Sequence, residues 1–167
     1  PVREALRILV KDGFAVTVPR KGTVIAGLSR NDAIDIYDLR EVIEGLCARR
    51  ASANMTAREL KQLRVRLERM SPPSIDHVSY MKAHAEFNAI IVGATRSHRI
   101  GQFLDTLSGQ VRRLRGITLA TKARQEEAWK EHVAIVGALS AKDAVAAEAL
   151  ARKHIQNAKL SFLEQWR

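Results

Sequence analysis

Helical periodicity dominates most of this chain and constrains its fold more than any other feature. The clearest example is one series of apolar residues: Ile36, Leu39, Ile43 and Leu46. Intervals of three and four residues place such side chains on one face of an α-helix. No alternating strand pattern follows Ala26. We therefore predict a mostly α-helical fold, within the size of one ordinary domain or one domain plus a small appendage.

Capping signals divide the helical region into about six segments. A Ser or Thr followed three residues later by an acidic residue is typical of a helix start. We predict helices that begin near Ser29, Thr56, Ser74, Ser97, Arg124 and Ser140. The fourth helix is expected to continue unbroken to about Leu119, and the sixth almost to Arg167. Amphipathic helices of this length pack their apolar faces together, so the sequence predicts an antiparallel bundle.

The first 28 residues have a different character. Residues 1–12 predict a helix that Gly13 ends, and the β-prone stretches 14–18 and 23–26 predict a hairpin. The turn residues between these stretches, 19–22, carry two cations. A helix with one hairpin is too small to bury a core by itself. We therefore divide the chain into residues 1–28 and an all-helical domain of residues 29–167.

The charge balance favours a polyanionic partner. Lys and Arg number 28 against 18 Asp and Glu, a formal net charge of +10. Nucleic acid is the first candidate and an anionic membrane surface the second. No apolar run approaches the roughly 20 residues of a membrane span, and we expect a soluble, cytoplasmic protein. The single Cys47 cannot form an internal disulfide and is expected to be a small buried residue.

Motifs along the whole chain resemble one family of regulators. The opening PVREALR, the following Asp12-Gly13 and the segment PRKGTV at 19–24 resemble the second half of a GntR-type winged helix-turn-helix. The segment YDLREVIE at 37–44 resembles the first helix of the effector domain of the FadR subfamily, the FCD type. Glu131-His132 and the Ala-rich stretch 143–154 resemble its closing helices. This resemblance implies a partial winged helix-turn-helix, with recognition helix and hairpin wing, before an FCD-like bundle. In the family two further helices precede the recognition helix, so we expect this sequence to be part of a longer regulator.

The resemblance also implies which residues face DNA. A recognition helix directs its first residues into the major groove, where an Arg can bind guanine through two hydrogen bonds. Arg3 is the predicted base reader and Arg7 a predicted phosphate contact. The wing tip, Arg20, Lys21 and Gly22, is expected to approach the DNA backbone or the minor groove. Without the family pattern, Arg3 and Arg7 would be interpreted as ordinary solvated positions.

Three histidines on three predicted helices indicate a shared interior site. His84 and Asn88 are four residues apart, and His132 and His154 lie on apolar faces of the last two helices. Imidazoles from facing helices can converge on a metal ion. The alternatives are separate buried histidines or a metal-free polar pocket. His77 could approach the mouth of the pocket, and His98 is expected to be exposed.

FCD domains commonly bind a divalent metal through an Asp and a His four residues apart and two further histidines. In this sequence His84 occupies the Asp position and Asn88 the first His position, while His132 and His154 match the remaining pair. The resemblance thus implies a metal site of His84, Asn88, His132 and His154 without a carboxylate. Such a site suits zinc or nickel better than magnesium or calcium.

Two arginines are candidate effector ligands. Arg40 could bind an effector carboxylate, or it could pair with Glu44 one turn later. Arg113 is a weaker candidate for the same role, and the dense cluster Arg112, Arg113 and Arg115 otherwise fits an exposed face.

The predicted function is a ligand-responsive transcriptional regulator. It would bind operator DNA as a homodimer and a small carboxylate metabolite in its helical domain, with residues 26–28 as the hinge. The alternative is an enzyme, a three-His metal hydrolase, but no general base is evident, since Glu131 and His132 point about 100° apart on a helix. A basic module for membranes or RNA is disfavoured by the scarcity of aromatic residues.

Overall fold

The computed structural model describes residues 1–11, 13–27, 29–72 and 76–166. In chain order its elements are α1 (Val2–Lys11), β1 (Ala15–Val18), β2 (Gly22–Ile25), α2 (Arg30–Asn54), α3 (Ala57–Arg69), α4 (His77–Ala94), α5 (His98–Thr106), α6 (Ser108–Thr118), α7 (Lys122–Ser140) and α8 (Ala144–Gln165). The prediction of a mostly helical chain with one hairpin near its start is confirmed.

The first unit consists of α1 and an antiparallel hairpin. Strands β1 and β2 pair from Ala15 opposite Ile25 to Val18 opposite Gly22. Gly22 has a φ of +81°, a conformation that costs glycine little because it lacks a Cβ. Helix α1 has no fully buried residue, and its apolar side chains are half-buried or exposed. The hairpin presents its basic tip, residues 20–22, to solvent.

Side-chain caps begin the long helices as the sequence indicates. Ser29 and Asp32 form a capping box at α2, and Thr56 and Glu59 form another at α3. The predicted cap Ser74 lies outside the described residues. Helix α4 instead begins at the N-cap Asp76, whose carboxylate accepts hydrogen bonds from the Val78 and Ser79 amides.

The prediction of one unbroken fourth helix is wrong, because two helices occupy that stretch. Helix α5 ends at Thr106 and α6 begins at Ser108, with Leu107 between them. The hydroxyl of Thr106 donates to the Phe103 carbonyl, and that of Ser108 donates to the Asp105 carbonyl. Hydroxyl groups that bond to nearby carbonyls compete with the helix ladder, and this competition accounts for the break.

The start of the last helix also differs from the prediction. Asp143 is the N-cap of α8 and accepts from the Ala146 amide, whereas Ser140 is the final residue of α7. The Ser140 hydroxyl donates to the Val136 carbonyl of its own helix. The acidic residue of the predicted pair is therefore the capping residue, and the serine belongs to the preceding helix.

The helices from α2 onward enclose the hydrophobic core, and α2 packs along α8. Small side chains line their contact: Ala48, Ala51, Ala147 and Ala151 are all buried in one cluster. Alanines permit close approach of two helix axes. A second cluster includes Tyr37 and Phe162, whose ring centroids are 5.7 Å apart. This packing fixes the register of α2 against α8 and, through α4 and α7, the positions of the interior polar residues. Among the described residues no helix is long and apolar enough to cross a membrane.

We expect Glu59 to make part of the stability depend on pH. Its carboxylate accepts 2.7 Å hydrogen bonds from both terminal nitrogens of Arg96, and it accepts from the Thr56 amide. These bonds lower the pKa of Glu59 to about 2. The carboxylate therefore stabilises the fold above its unfolded pKa of 4.5, and this stabilisation is lost as the pH falls towards 2.

In urea titrations, Glu59→Gln should remove that part of the pH dependence. The effect should be small, about 1 kcal/mol or less, because the pair is solvent-exposed. Glu126→Gln, on α7, is the control. An identical acid profile for the Glu59 variant and the unmodified protein would contradict the assignment.

Candidate functional site

Three imidazoles from three helices meet inside the bundle. His84 lies on α4, His132 on α7 and His154 on α8, and their exposed fractions are 2%, 1% and 6%. One ring nitrogen from each lies within 4.8 Å of the others. The ring centroid of His132 is 5.0 Å from that of His84 and 4.5 Å from that of His154. The convergence inferred from the sequence is therefore present in the structure.

Several nitrogens of this cluster have no partner among the described residues. Nε2 of His84 and both ring nitrogens of His132 are buried without a hydrogen bond. Burial lowers the pKa of His84 and of His132 well below the usual imidazole value, and the neighbouring cations add to this effect. Both rings are therefore neutral near pH 7, which is the form that binds metal ions. Unpaired polar atoms in a protein interior are costly, and a metal ion or a water molecule would supply the missing partners.

Asn88 lies beside the cluster and bonds to His84. Its amide nitrogen is 3.1 Å from Nδ1 of His84 and donates to the His84 backbone carbonyl over 3.0 Å. Asn88 is half-buried and lines the adjacent cavity. In this arrangement the side-chain amide orients the His84 ring, and the role of Asn88 as a metal ligand stays a prediction.

A carboxylate lies next to the cluster although none belongs to it. Oε2 of Glu131 is 2.5 Å from Nδ1 of His154. The same carboxylate accepts hydrogen bonds from Arg124 and Asn157, so it is not free to act as a general base. Sequence reasoning considered Glu131 only as a neighbour of His132, and its bond to His154 on the next helix was missed.

The histidines open onto a cavity of about 860 Å³. His132 and His154 form part of its wall with Asn88 and apolar residues of α4 and α7. Phe14, from the α1–hairpin unit, also lines it. A volume of this size accommodates a small metabolite.

The structure places the two predicted effector arginines outside the residues that line this cavity. Arg40 is 2% exposed, and its Nε donates to Glu44 over 2.7 Å. Its guanidinium carbon lies 5.3 Å from the centroid of the Tyr37 ring. Arg113 is exposed and donates to the Ala26 carbonyl over 3.2 Å, so it contacts the segment after the hairpin.

A different cation, Arg115, lines the cavity. Its Nε is buried without a hydrogen-bond partner among the described residues. Burial lowers the pKa of Arg115 to about 10, with a contribution from Arg40, so the side chain stays charged near neutral pH. The sequence signal was its position four residues after the buried Val111, which places both on one helix face.

The carboxylate of Glu44 offsets part of the positive charge of Arg115. Burial alone would raise the pKa of Glu44, but the charges of Arg40 and Arg115 outweigh it and the pKa is lowered. Glu44 is thus an ionised carboxylate that interacts electrostatically with both arginines. Its hydrogen bond goes to Arg40, and Arg115 Nε stays without a hydrogen-bond partner among the described residues.

The predicted DNA-facing residues are all exposed. Arg3 and Arg7 project from α1, and Arg7 lies 3.9 Å from Glu4 in an exposed ion pair. Arg20, Lys21 and Gly22 form the hairpin tip. The geometry leaves these side chains accessible to a large partner.

The other residues singled out by the sequence lie apart from the histidine cluster. His77 is exposed and 3.4 Å from the Gln125 amide, and His98 is exposed at the start of α5. Cys47 is buried and also borders the cavity. Burial raises the pKa of the Cys47 thiol to about 12, so it is protonated near pH 7.

Comparison with known proteins identifies the class. The model of the FCD domain family matches residues 35–157. The Nta operon transcriptional regulator of Aminobacter aminovorans is 28% identical over 157 residues, which cover 93% of this chain and 73% of that protein. The transcriptional repressor GlaR of Escherichia coli is 26% identical over 167 residues, covering 93% and 75%.

Solved structures share the fold. E. coli McbR/YncC superposes with a TM-score of 0.86 at 18% identity, covering 98% of this chain and 84% of that one. A GntR family transcriptional regulator from Pseudomonas syringae pv. tomato gives a TM-score of 0.68 at 20% identity, covering 98% and 70%.

The chain belongs to the FCD domain family, and the curated proteins it resembles are transcriptional regulators. The resemblance drawn from the sequence motifs is thereby confirmed. Its relatives are regulators of transcription, so the hydrolase alternative is not supported and DNA is the implied partner.

Proposed function

We propose that this regulator senses a small carboxylate metabolite in its helical domain with the help of a divalent metal, zinc or nickel. The observation that carries the proposal is the convergence of His84, His132 and His154 next to a large cavity, with ring nitrogens that have no partner among the described residues.

The donor set fits such a metal. Three neutral imidazoles are ligands that zinc and nickel accept, whereas magnesium and calcium require oxygen donors. Because no carboxylate belongs to the set, the bound ion would keep its full dipositive charge. It would supply a Lewis-acidic centre that attracts an anionic ligand from the cavity.

His84 needs one local adjustment to serve as a ligand through Nε2. Its Nδ1 now faces the Asn88 amide nitrogen. A rotation of the Asn88 carboxamide would turn its oxygen towards Nδ1, which could then carry the proton and leave Nε2 free. Asn88 would in that case select the tautomer of His84.

The positive charge for the effector carboxylate comes, in this proposal, from Arg115. It lines the cavity, has donors to spare and needs no new partner to stay charged. Arg40 is engaged with Glu44 and Arg113 with the Ala26 carbonyl. We therefore assign to Arg115 the role first predicted for those two residues.

The proposal includes operator DNA bound through α1 and the hairpin by Arg3, Arg7, Arg20, Lys21 and Gly22, and a homodimer that matches a palindromic operator. The exposed apolar residues Leu39, Val42 and Leu46 lie along one face of α2 and support a protein contact there.

The test is a thermal melt of the zinc-loaded protein with a panel of small carboxylic acids, each paired with its amide. At least one acid should stabilise the protein saturably while its amide does not. A ligand at 100 times its Kd adds about 2.7 kcal/mol. If no acid in the panel stabilises the protein, the effector proposal fails.

Arg115→Gln should weaken binding of the active acid about 10- to 100-fold, as expected for the loss of a hydrogen bond to a charged group worth about 1.5–3 kcal/mol. Isothermal titration measures this. Arg113→Gln is the matched control, an exposed arginine two residues away. A loss with Arg113→Gln and none with Arg115→Gln would restore the original prediction.

A further inference from the structure

Glu131 is held in place by three side chains. Its Oε2 lies 2.5 Å from Nδ1 of His154 and accepts from Nη2 of Arg124 over 3.0 Å. Its Oε1 accepts from Nη1 of Arg124 over 3.2 Å and from Nδ2 of Asn157 over 2.8 Å. Arg124 is itself buried, at 5% exposure. The carboxylate therefore has little freedom to move.

This arrangement determines which nitrogen of His154 carries the proton. Arg124 and Asn157 occupy both carboxylate oxygens as donors, so Glu131 is ionised and only accepts. Its partner Nδ1 must therefore donate. In the neutral ring, which is the form that binds a metal ion, the remaining nitrogen Nε2 then has a free lone pair beside His84 and His132.

The role of Glu131 is geometric more than electrostatic. A carboxylate one hydrogen bond away from a ligand could offset the charge of a metal. The two hydrogen bonds from Arg124 already neutralise most of that charge, however. What Glu131 contributes is therefore to fix the orientation of the His154 ring and the nitrogen that carries its proton.

We propose that Glu131 is the positioning residue of the histidine cluster, and that with Arg124 and Asn157 it holds His154 in the tautomer whose Nε2 can bind a metal ion. The benefit to metal binding rests on the proposed metal site. The tautomer of His154 is a property of the metal-free protein, however, and can be tested there.

The first measurement is a long-range ¹H–¹⁵N correlation spectrum of the metal-free protein at mildly alkaline pH, which reports the protonation of each ring nitrogen. His154 should show one tautomer, protonated at Nδ1. In Glu131→Gln the side-chain amide can accept or donate, so the single tautomer should give way to a mixture. Glu127→Gln is the matched control, because Glu127 is one turn away, 3.6 Å from Arg124 and 67% exposed. It should leave the His154 signals unchanged.

The second measurement is zinc affinity by competition with a chelator. Loss of an outer partner of a ligating histidine typically weakens binding about 10- to 100-fold, and we expect this for Glu131→Gln. Asn157→Ala removes one support of the carboxylate and should give a smaller loss. It also serves as the second variant if Glu131→Gln does not fold.

The two measurements separate the two ideas. If the unmodified protein binds no zinc, the proposed metal site fails, while the spectra still decide whether Glu131 fixes the tautomer. If Glu131→Gln loses the single tautomer no more than the Glu127→Gln control does, or keeps a zinc affinity within about twofold of the unmodified protein, the positioning role is overturned. Where Glu131→Gln is unfolded, a zinc affinity of Asn157→Ala within about twofold of the unmodified protein overturns it.

Discussion

His132→Ala should abolish stoichiometric zinc binding. The ring lies between those of His84 and His154, and both of its nitrogens are buried without a hydrogen-bond partner in the part of the chain that the structure describes. Its removal leaves two imidazoles, too few for a stable site in the interior. Loss of a residue that only hydrogen-bonds to a metal ligand typically weakens metal binding about 10- to 100-fold. Loss of the ligand itself should therefore weaken zinc binding more than about 100-fold. Elemental analysis after dialysis against zinc measures the effect.

His98→Ala is the control for that experiment. His98 is exposed at the first turn of α5 and lies outside the cluster. It should retain the zinc content of the unmodified protein. Stoichiometric zinc in His132→Ala would refute the ligand assignment, and loss of zinc in both variants would point to a surface site instead.

Phe87→Ala should be among the most destabilising single substitutions in the bundle. Phe87 is 0% exposed, belongs to the main core cluster and lies 4.7 Å from the His132 ring, between centroids. Truncation of a buried Phe costs about 3–5 kcal/mol, because packing is lost and a cavity remains. For a chain of this size the midpoint of thermal unfolding should fall by about 10 °C or more.

Phe103→Ala is the matched control for the core prediction. Phe103 is 41% exposed on α5, and its truncation should cost less than about 1 kcal/mol. Both variants are measured by urea unfolding of the metal-free protein. Equal destabilisation by the two would show that Phe87 does not contribute the core packing that its burial indicates.

Local signals predicted the elements of this fold well. The Ser29 and Thr56 caps and the hairpin depend on residues close together in sequence, and each is found where the pattern indicates. The break at Leu107 was missed because apolar periodicity continues across it. Two hydrogen bonds from hydroxyl groups to backbone carbonyls interrupt the helix there, and the spacing of apolar residues does not reveal them.

The site was only partly predictable, for a related reason. The three histidines could be expected to face inward because each lies on the apolar side of its own helix. The bond from His154 to Glu131 joins α8 to α7, and it depends on how the two helices align along their axes. Likewise, only the structure shows that Arg115 faces the cavity while Arg113 turns towards Ala26.

Phe14 gives the cavity a wall that belongs to the α1–hairpin unit. Its amide donates to the Leu9 carbonyl of α1, and its carbonyl accepts from the Ala26 amide just after β2. An occupant of that end of the cavity would therefore touch a residue that is hydrogen-bonded both to α1 and to the end of the hairpin. Thermodynamic linkage makes such contact reciprocal. In the proposed regulator, operator binding would change the affinity for the proposed metabolite by the same factor by which the metabolite changes the affinity for the operator.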